Sequence, residues 1–223
     1  MILEKMGEFF DARLDEYEEH QLTCIESAKE FYPFTAENLP DGEANILDLG
    51  CGTGLELTWY FDRAPHASVT GIDMAPGMLK VLKERFKDKK LTVIEGSYFD
   101  VPLGKGVYDA AVSVESLHHF TREEKIPLYT KVQQALKDGA YFLITDYFAP
   151  GNEEEKAMRA EYERLKKEQG LKDGEFYHYD TPLTVTHEMQ ALSFAGFATV
   201  EVLGNWADTY TIKAQKFSAK AIK

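Results

Sequence analysis

The chain has 223 residues, 44% of them hydrophobic, enough for one sizeable buried core and better suited to one α/β domain with additions than to two independent units. A formal charge of −13 speaks against nucleic acid as a partner, since such binding draws its affinity from Lys and Arg neutralising phosphates. Two cysteines without a CxxC pair imply no disulfide framework and no structural metal, while the absence of a signal pattern and of any apolar run near the roughly 20 residues that span a bilayer points to a cytoplasmic protein with no membrane partner.

From about Glu8 to Tyr32, Phe10, Leu14, Tyr17, Ile25, Ala28 and Tyr32 recur at helical spacing and predict one amphipathic helix. Residues 1–45 hold twelve acidic and three basic residues, read either as a solvated helix face or as a bias toward a neutral or cationic ligand. Pro33, Pro40, Asp41 and Gly42 mark a connection into the first strand. Strands are then predicted at Asn45–Leu49, Ser68–Asp73, Leu91–Glu95, Val107–Val114 and Ala140–Asp146, with helices near Leu55–Arg63, Pro76–Phe86 and Lys125–Lys137. Such alternation is the signature of a parallel sheet covered on both faces. Thr121 and Glu124 form a capping box, but Pro127 predicts a short first turn and a restart of the helix at that residue. Asn152 with Glu155 caps a charged helix that Gly170 ends, and Thr186 and Gly196 bracket another. Phe197–Leu203 and Thr209–Lys216, separated by residues 204–208, read as an antiparallel hairpin at one sheet edge.

The most informative stretch is ILDLGCGTG at Ile46 to Gly54, a buried strand running into glycines at 50, 52 and 54. Glycines there let the chain turn tightly and let a ligand approach the main chain, and the free N–H groups of the following helix favour an anionic group. The spacing is GxGxG rather than the GxGxxG of dinucleotide sites, and Leu55 stands where the third fingerprint glycine would be. A second strand ends in Asp73, nineteen positions past Gly54, where a carboxylate can accept hydrogen bonds from ribose hydroxyls; a turn or N-cap aspartate is the plainer alternative.

With IEGSYFDVP at Ile94 to Pro102, YDAAVSVESLHHF at Tyr108 to Phe120 and LKDGAYFLITDY at Leu136 to Tyr147, the chain resembles the class I S-adenosylmethionine-dependent methyltransferases, particularly small single-domain members that act on small molecules. The likeness is strong over about residues 40–147. It implies a doubly wound, mostly parallel seven-stranded sheet in the order 3-2-1-4-5-7-6 with the last hairpin antiparallel. One domain is expected, with an N-terminal helical cap or lid at 1–42, a cofactor-binding core at 43–147, and a helical insertion and C-terminal hairpin at 148–223.

The resemblance also implies S-adenosyl-L-methionine as cofactor. Gly50, Cys51 and Gly52 are expected along its methionine part with Asp48 beneath, Asp73 at the ribose and Met74 against the adenine. Gly96, Ser97 and Tyr98 follow the third strand, where Ser97 stands in place of the family's usual acid. Val114 and Glu115 are expected near the sulfonium. Glu115, Ser116, His118 and His119 are the candidates for chemistry, His119 foremost, since an imidazole can take a proton near neutral pH; the alternative is that the paired histidines only hold the loop. Arg13, Tyr17, His20, Tyr147 and Tyr179 are candidates for contact with a small-molecule methyl acceptor. The first helix and the aromatic stretch Gly174 to Pro182 are expected to form a lid. A cofactor-binding regulator or partner subunit without turnover is the alternative function, and a nucleotide-dependent oxidoreductase ranks behind it.

Overall fold

A computed structural model describes residues 1–172 and 174–218. Seven strands form one sheet in the order β3-β2-β1-β4-β5-β7-β6: β1 (Asn45–Leu49), β2 (Ser68–Asp73), β3 (Lys90–Glu95), β4 (Tyr108–Val114), β5 (Leu136–Tyr147), β6 (Thr199–Trp206) and β7 (Thr209–Gln215). The first five are parallel, while β7 runs antiparallel to both β5 and β6. The expected order and the antiparallel edge hairpin are therefore present. Strand residues alternate between two cores: Leu47 and Leu49 pack into one, Ile46 into the other, with Ala111 and Ala110 dividing likewise on β4. Because both faces are buried, polar chemistry is confined to the strand ends, and the order reverses between β1 and β4, where a crevice opens.

The N-terminal region differs from the single helix read from its periodicity. It folds as α1 (Met6–Asp11), α2 (Leu14–Cys24) and α3 (Ala28–Glu37). Ser27 adopts φ 60°, a left-handed conformation that no continuous helix can pass through. Pro33 lies inside α3 rather than in the connection to β1. The helices that follow are α4 (Leu55–Arg63), α5 (Pro76–Arg85), α6 (Arg122–Ala135), α7 (Asn152–Gln169) and α8 (Val185–Phe194). The Thr121–Glu124 capping box forms, but α6 continues through Pro127 without a restart. A one-turn 3-10 helix, Leu117–His119, follows β4.

Further corrections concern caps and bends. Gly151 rather than Asn152 precedes α7, and the Glu155 carboxylate accepts the Thr184 N–H at 2.6 Å while lying 2.8 Å from His187 Nδ1. Thr184, not Thr186, caps α8 through the His187 N–H. Strand β5 begins directly after α6, so Asp138 and Gly139 form a bulge opposite β4 instead of a loop. The hairpin turn shrinks to Ala207 and Asp208, because Gly204, Asn205 and Trp206 remain paired with β7.

Helices α6 and α8 are joined by a buried ion pair, Lys125 Nζ to Glu188 Oε2 at 2.6 Å, with the Tyr129 hydroxyl donating to the other Glu188 oxygen. Lys125 is 2% and Glu188 0% exposed, so neither charge finds compensation from water when its partner is removed. Glu188→Ala is expected to lower stability in urea unfolding by about 3–5 kcal/mol. The double change Lys125→Met with Glu188→Leu recovers most of that loss.

Candidate active site

At the carboxyl ends of β1, β2 and β4 lies a cavity. Its floor is the bend after β1. Gly50 turns at φ 72°, and a Cβ on it would lie 2.6 Å from the Ser116 Cβ, so no larger residue fits without moving the loop after β4. The Gly50 N–H donates to the Ile72 carbonyl at 2.8 Å, tying the bend to β2. The Asp73 carboxylate accepts the Gly52 and Ala75 N–H groups, both at 2.9 Å, which fixes it on the cavity wall. Burial raises its pKa, opposed by those same backbone donors.

Of the residues expected around a cofactor, Gly50, Gly52, Asp73, Met74, Gly96, Ser97, Tyr98 and Glu115 line this cavity. Asp48, Cys51 and Val114 do not. The Cys51 sulfur packs behind the bend, against Gly71 and the core. Val114 is buried in that same core. Asp48 points to the face it shares with Ile46, where it is buried beside Glu56 on the first turn of α4. Burial, and then the neighbouring Glu56, push the Asp48 carboxyl well above the usual range, and burial also raises Glu56. Asp48 Oδ2 and Glu56 Oε1 are buried without hydrogen-bond partners. Glu56 escaped the sequence reading because one acid at the start of a helix is ordinarily a dipole partner.

The opposite wall carries the paired histidines. Asp146, at the end of β5, accepts the Leu117 N–H at 2.7 Å through Oδ2, while Oδ1 lies 2.5 Å from His118 Nδ1. Burial pulls the His118 pKa down, but Asp146 outweighs it and the ring stands at about 9, hence cationic at neutral pH. His119 lines the cavity and lies lower than usual, through burial and then the neighbouring His118 charge. Its Nδ1 is 3.2 Å from Asp180 Oδ1, and His118 Nε2 is 3.6 Å from the same oxygen. Glu115 follows β4 at φ 49°, with Oε1 buried and unpartnered; burial and then Asp146 raise its pKa to about 8. Asp180 and His178 lie within the stretch noted only for its aromatic rings, and no spacing in the chain ties them to His119.

Met6, Phe10 and Tyr17 line the cavity from α1 and α2. Gly7 packs closely on the Met74 carbonyl, Asp11 accepts the Gly77 N–H at 2.9 Å, and Glu18 pairs with Arg85. Of the residues expected to meet an acceptor, only Tyr17 faces the cavity. Arg13 turns outward to Glu4 and lies over the Phe9 ring, and His20 is exposed on α2. Tyr147 is half-buried beyond His118, their rings 6.1 Å apart, and Tyr179 stacks on Tyr162. Among the described residues, two groups of donors lie within 4.8 Å of one another, a spacing that also admits a divalent cation: His118, His119 and Asp180, and Glu115, His118 and Asp146.

The titrating groups set the pH dependence of stability. Glu115 holds its proton in the folded state from about pH 4.5 to 8 and His118 from about 6.5 to 9, so over both windows the native state binds the extra protons. These two groups therefore make stability fall as pH rises from about 6.5 to 9, while below 6.5 His178, held neutral down to about 4, opposes them. Glu115→Gln should remove the lower part of that slope in urea titrations and leave the part due to His118.

Comparison with known proteins bears on the same residues. A family model described as a methyltransferase domain matches residues 46–139. The fatty-acid O-methyltransferase of Mycolicibacterium smegmatis is 28% identical over 117 residues, 52% of this chain and 42% of that one. The erythromycin 3''-O-methyltransferase of Saccharopolyspora erythraea is 27% identical over 115 residues, 50% of this chain and 37% of that one. The matched stretch thus spans less than half the length of either relative. The crystal structure of a putative O-methyltransferase from Nostoc punctiforme superimposes with a TM-score of 0.71 at 19% identity, covering 97% of this chain and 63% of that one. The methyltransferase-domain match over residues 46–139, the glycine bend, Asp73 and the strand order together support a class I S-adenosylmethionine-dependent methyltransferase.

Proposed function

We propose that the chain transfers the methyl group of S-adenosylmethionine to a small-molecule acceptor, with His119 taking the acceptor's proton. The observation that carries this reading is a single cavity with Asp73 and the glycine bend on one wall and His119 on the other. The cofactor fits that bend on chemical grounds: Gly50 and Gly52 bring main chain to the cavity wall, and the Asp73 carboxylate is fixed beside them by two backbone donors. Asp73 would hold the ribose and Tyr98 and Met74 the adenine. When bound, S-adenosylmethionine supplies a methyl group on a cationic sulfur, open to in-line displacement.

The residues of the chain divide the remaining work. His118, cationic and paired with Asp146, is a poor proton acceptor. His119 is neutral, and with Nδ1 turned to Asp180 its Nε2 is the nitrogen left to receive a proton. Phe10, Met6 and Tyr17 exclude water over the cavity, which strengthens the charge interactions inside. Holding the acceptor at attack distance can contribute roughly 7–11 kcal/mol in favourable cases, so orientation carries much of the rate. An apolar acceptor with one protic group suits walls built from Met6, Phe10, Met78 and Phe120. The fatty-acid and erythromycin methyltransferases among the relatives agree in type with such an acceptor.

Two measurements test the reading. Calorimetry should detect S-adenosylhomocysteine, and Asp73→Ala should weaken it about 100-fold, the effect of losing roughly 3 kcal/mol of charge-assisted hydrogen bonding. Absence of binding at millimolar ligand would remove the proposal. Labelled S-adenosylmethionine incubated with a metabolite extract should yield labelled product. His119→Ala should lower that yield by about 100-fold or more while S-adenosylhomocysteine still binds. Binding without product in the wild type would favour a regulator instead.

A further inference from the structure

Resting on the assignment of His119 as proton acceptor, we propose that Asp180 is the residue that positions the His119 ring, and that pairing of the N-terminal segment with residues 174–180 delivers it to the site. Asp180 is 49% exposed, whereas the side chains of His118 and His119 are 10% and 4% exposed. A carboxylate from the rim thus reaches onto a buried ring pair. Its Oδ1 lies 3.2 Å from His119 Nδ1 and the Tyr179 carbonyl of the same strip lies 3.4 Å from that nitrogen, so both select the Nδ1–H tautomer and leave Nε2 as the lone-pair nitrogen, the carboxylate being the charged acceptor of the two. No other described side chain around the two rings is placed to do this. Asp146 on β5 is engaged by His118 and by the Leu117 and Tyr147 N–H groups. Glu115 after β4 raises the charge on His118, and His178, kept neutral at about 4 by burial and then by His119, packs its ring 4.9 Å from that of His119. Arg13 on the N-terminal side points to Glu4.

The strip that bears Asp180 has no regular structure of its own. It is held by an antiparallel bridge between Lys5 and Tyr177, with Met6 N–H donating to the Phe176 carbonyl and His178 N–H to the Glu4 carbonyl, each at 2.9 Å. Beyond Asp180, the Thr181 N–H donates to the His118 carbonyl at 2.8 Å. The same N-terminal segment runs straight into α1, whose Met6 and Phe10 roof the cavity. Lifting α1 to admit a ligand therefore breaks the bridge to the strip, and re-forming the bridge returns Asp180 to His119. Closure of the roof and orientation of the base become one event, so a proton acceptor is assembled only when water is excluded.

Side-chain 15N NMR of histidine reads the tautomer directly, without an acceptor molecule and first without cofactor. The wild type should show His119 protonated on Nδ1; Asp180→Ala should shift it toward the mixture of free imidazole, and Asp180→Asn, whose amide oxygen still accepts, should restore it. Met6→Pro removes the bridging N–H at the first position of α1, where proline is tolerated and Lys5 already has the extended backbone that proline requires of its predecessor. It should move His119 as Asp180→Ala does, whereas Met6→Ala, which keeps the N–H, should not. An unchanged His119 signal in Asp180→Ala overturns the proposal, and a normal signal in Met6→Pro overturns the delivery. Binding of Zn2+ or Mn2+ that Asp180→Ala abolishes would also overturn it, by making Asp180 a metal ligand. S-adenosylhomocysteine calorimetry is separate: failure to bind would sink the methyltransferase reading and leave the tautomer result standing.

Discussion

One buried carboxylate organises the histidine wall of the cavity. Asp146 is 1% exposed at the end of a central strand, and it receives the backbone N–H of Leu117 and the ring of His118. A charge in that position demands a cation, and His118 supplies it. Once His118 is cationic, a second proton on the adjacent His119 is disfavoured, so two histidines neighbouring in sequence acquire opposite roles. Glu115 responds to the same charge in the other direction, since Asp146 helps to hold it protonated. Removing the Asp146 carboxylate would therefore rewrite the proton inventory of the whole wall rather than delete one contact.

The glycine bend imposes the matching constraint on the opposite side. It is closed by the fit between Gly50 and Ser116, which binds the loops after β1 and β4 into one unit. The two walls of the cavity thus cannot move independently. Three acidic side chains, Asp48, Glu56 and Glu115, present oxygens without partners around this unit. Burial holds Asp48 and Glu115 protonated, which lowers the cost of leaving those oxygens unpaired. Tyr17 senses the same field, since burial and then the charges of Asp73, Glu56 and Glu115 hold its hydroxyl protonated.

Most of the fold is legible in the chain because its signals are local. Strands β1 and β2 and helix α4 keep their expected limits, since apolar runs meet glycines or acids at their ends. Where local signals compete with packing, the reading fails. Periodicity from Glu8 to Tyr32 says helix but not that Ser27 breaks it. Pro127 says break, yet α6 is held through it by Leu128, Tyr129 and Val132 packed in the core. In the site, Gly50, Gly52, Asp73 and His119 stand out because motif spacing places them at strand ends. Asp180, some sixty residues beyond His119, carries no such mark, and nothing local says that Arg13 turns away while Phe10 turns in.

The roof shows why this last class of information is tertiary. Residues of α1 and α2 touch the cavity through Met6, Phe10 and Tyr17, but their anchors are distributed: Asp11 on the first turn of α5, Glu18 on Arg85, and the Glu4 and Met6 backbone on the strip at 176–178. These are partly exposed polar contacts, worth far less than the apolar packing of the sheet. A segment held this way opens at a free-energy cost well below that of global unfolding, and the sheet remains intact while it does so. Rigid walls with a weakly latched roof answer two requirements of the proposed reaction that conflict in one solid body: water must be excluded during transfer, and a cofactor as bulky as a nucleoside must enter and leave on every cycle.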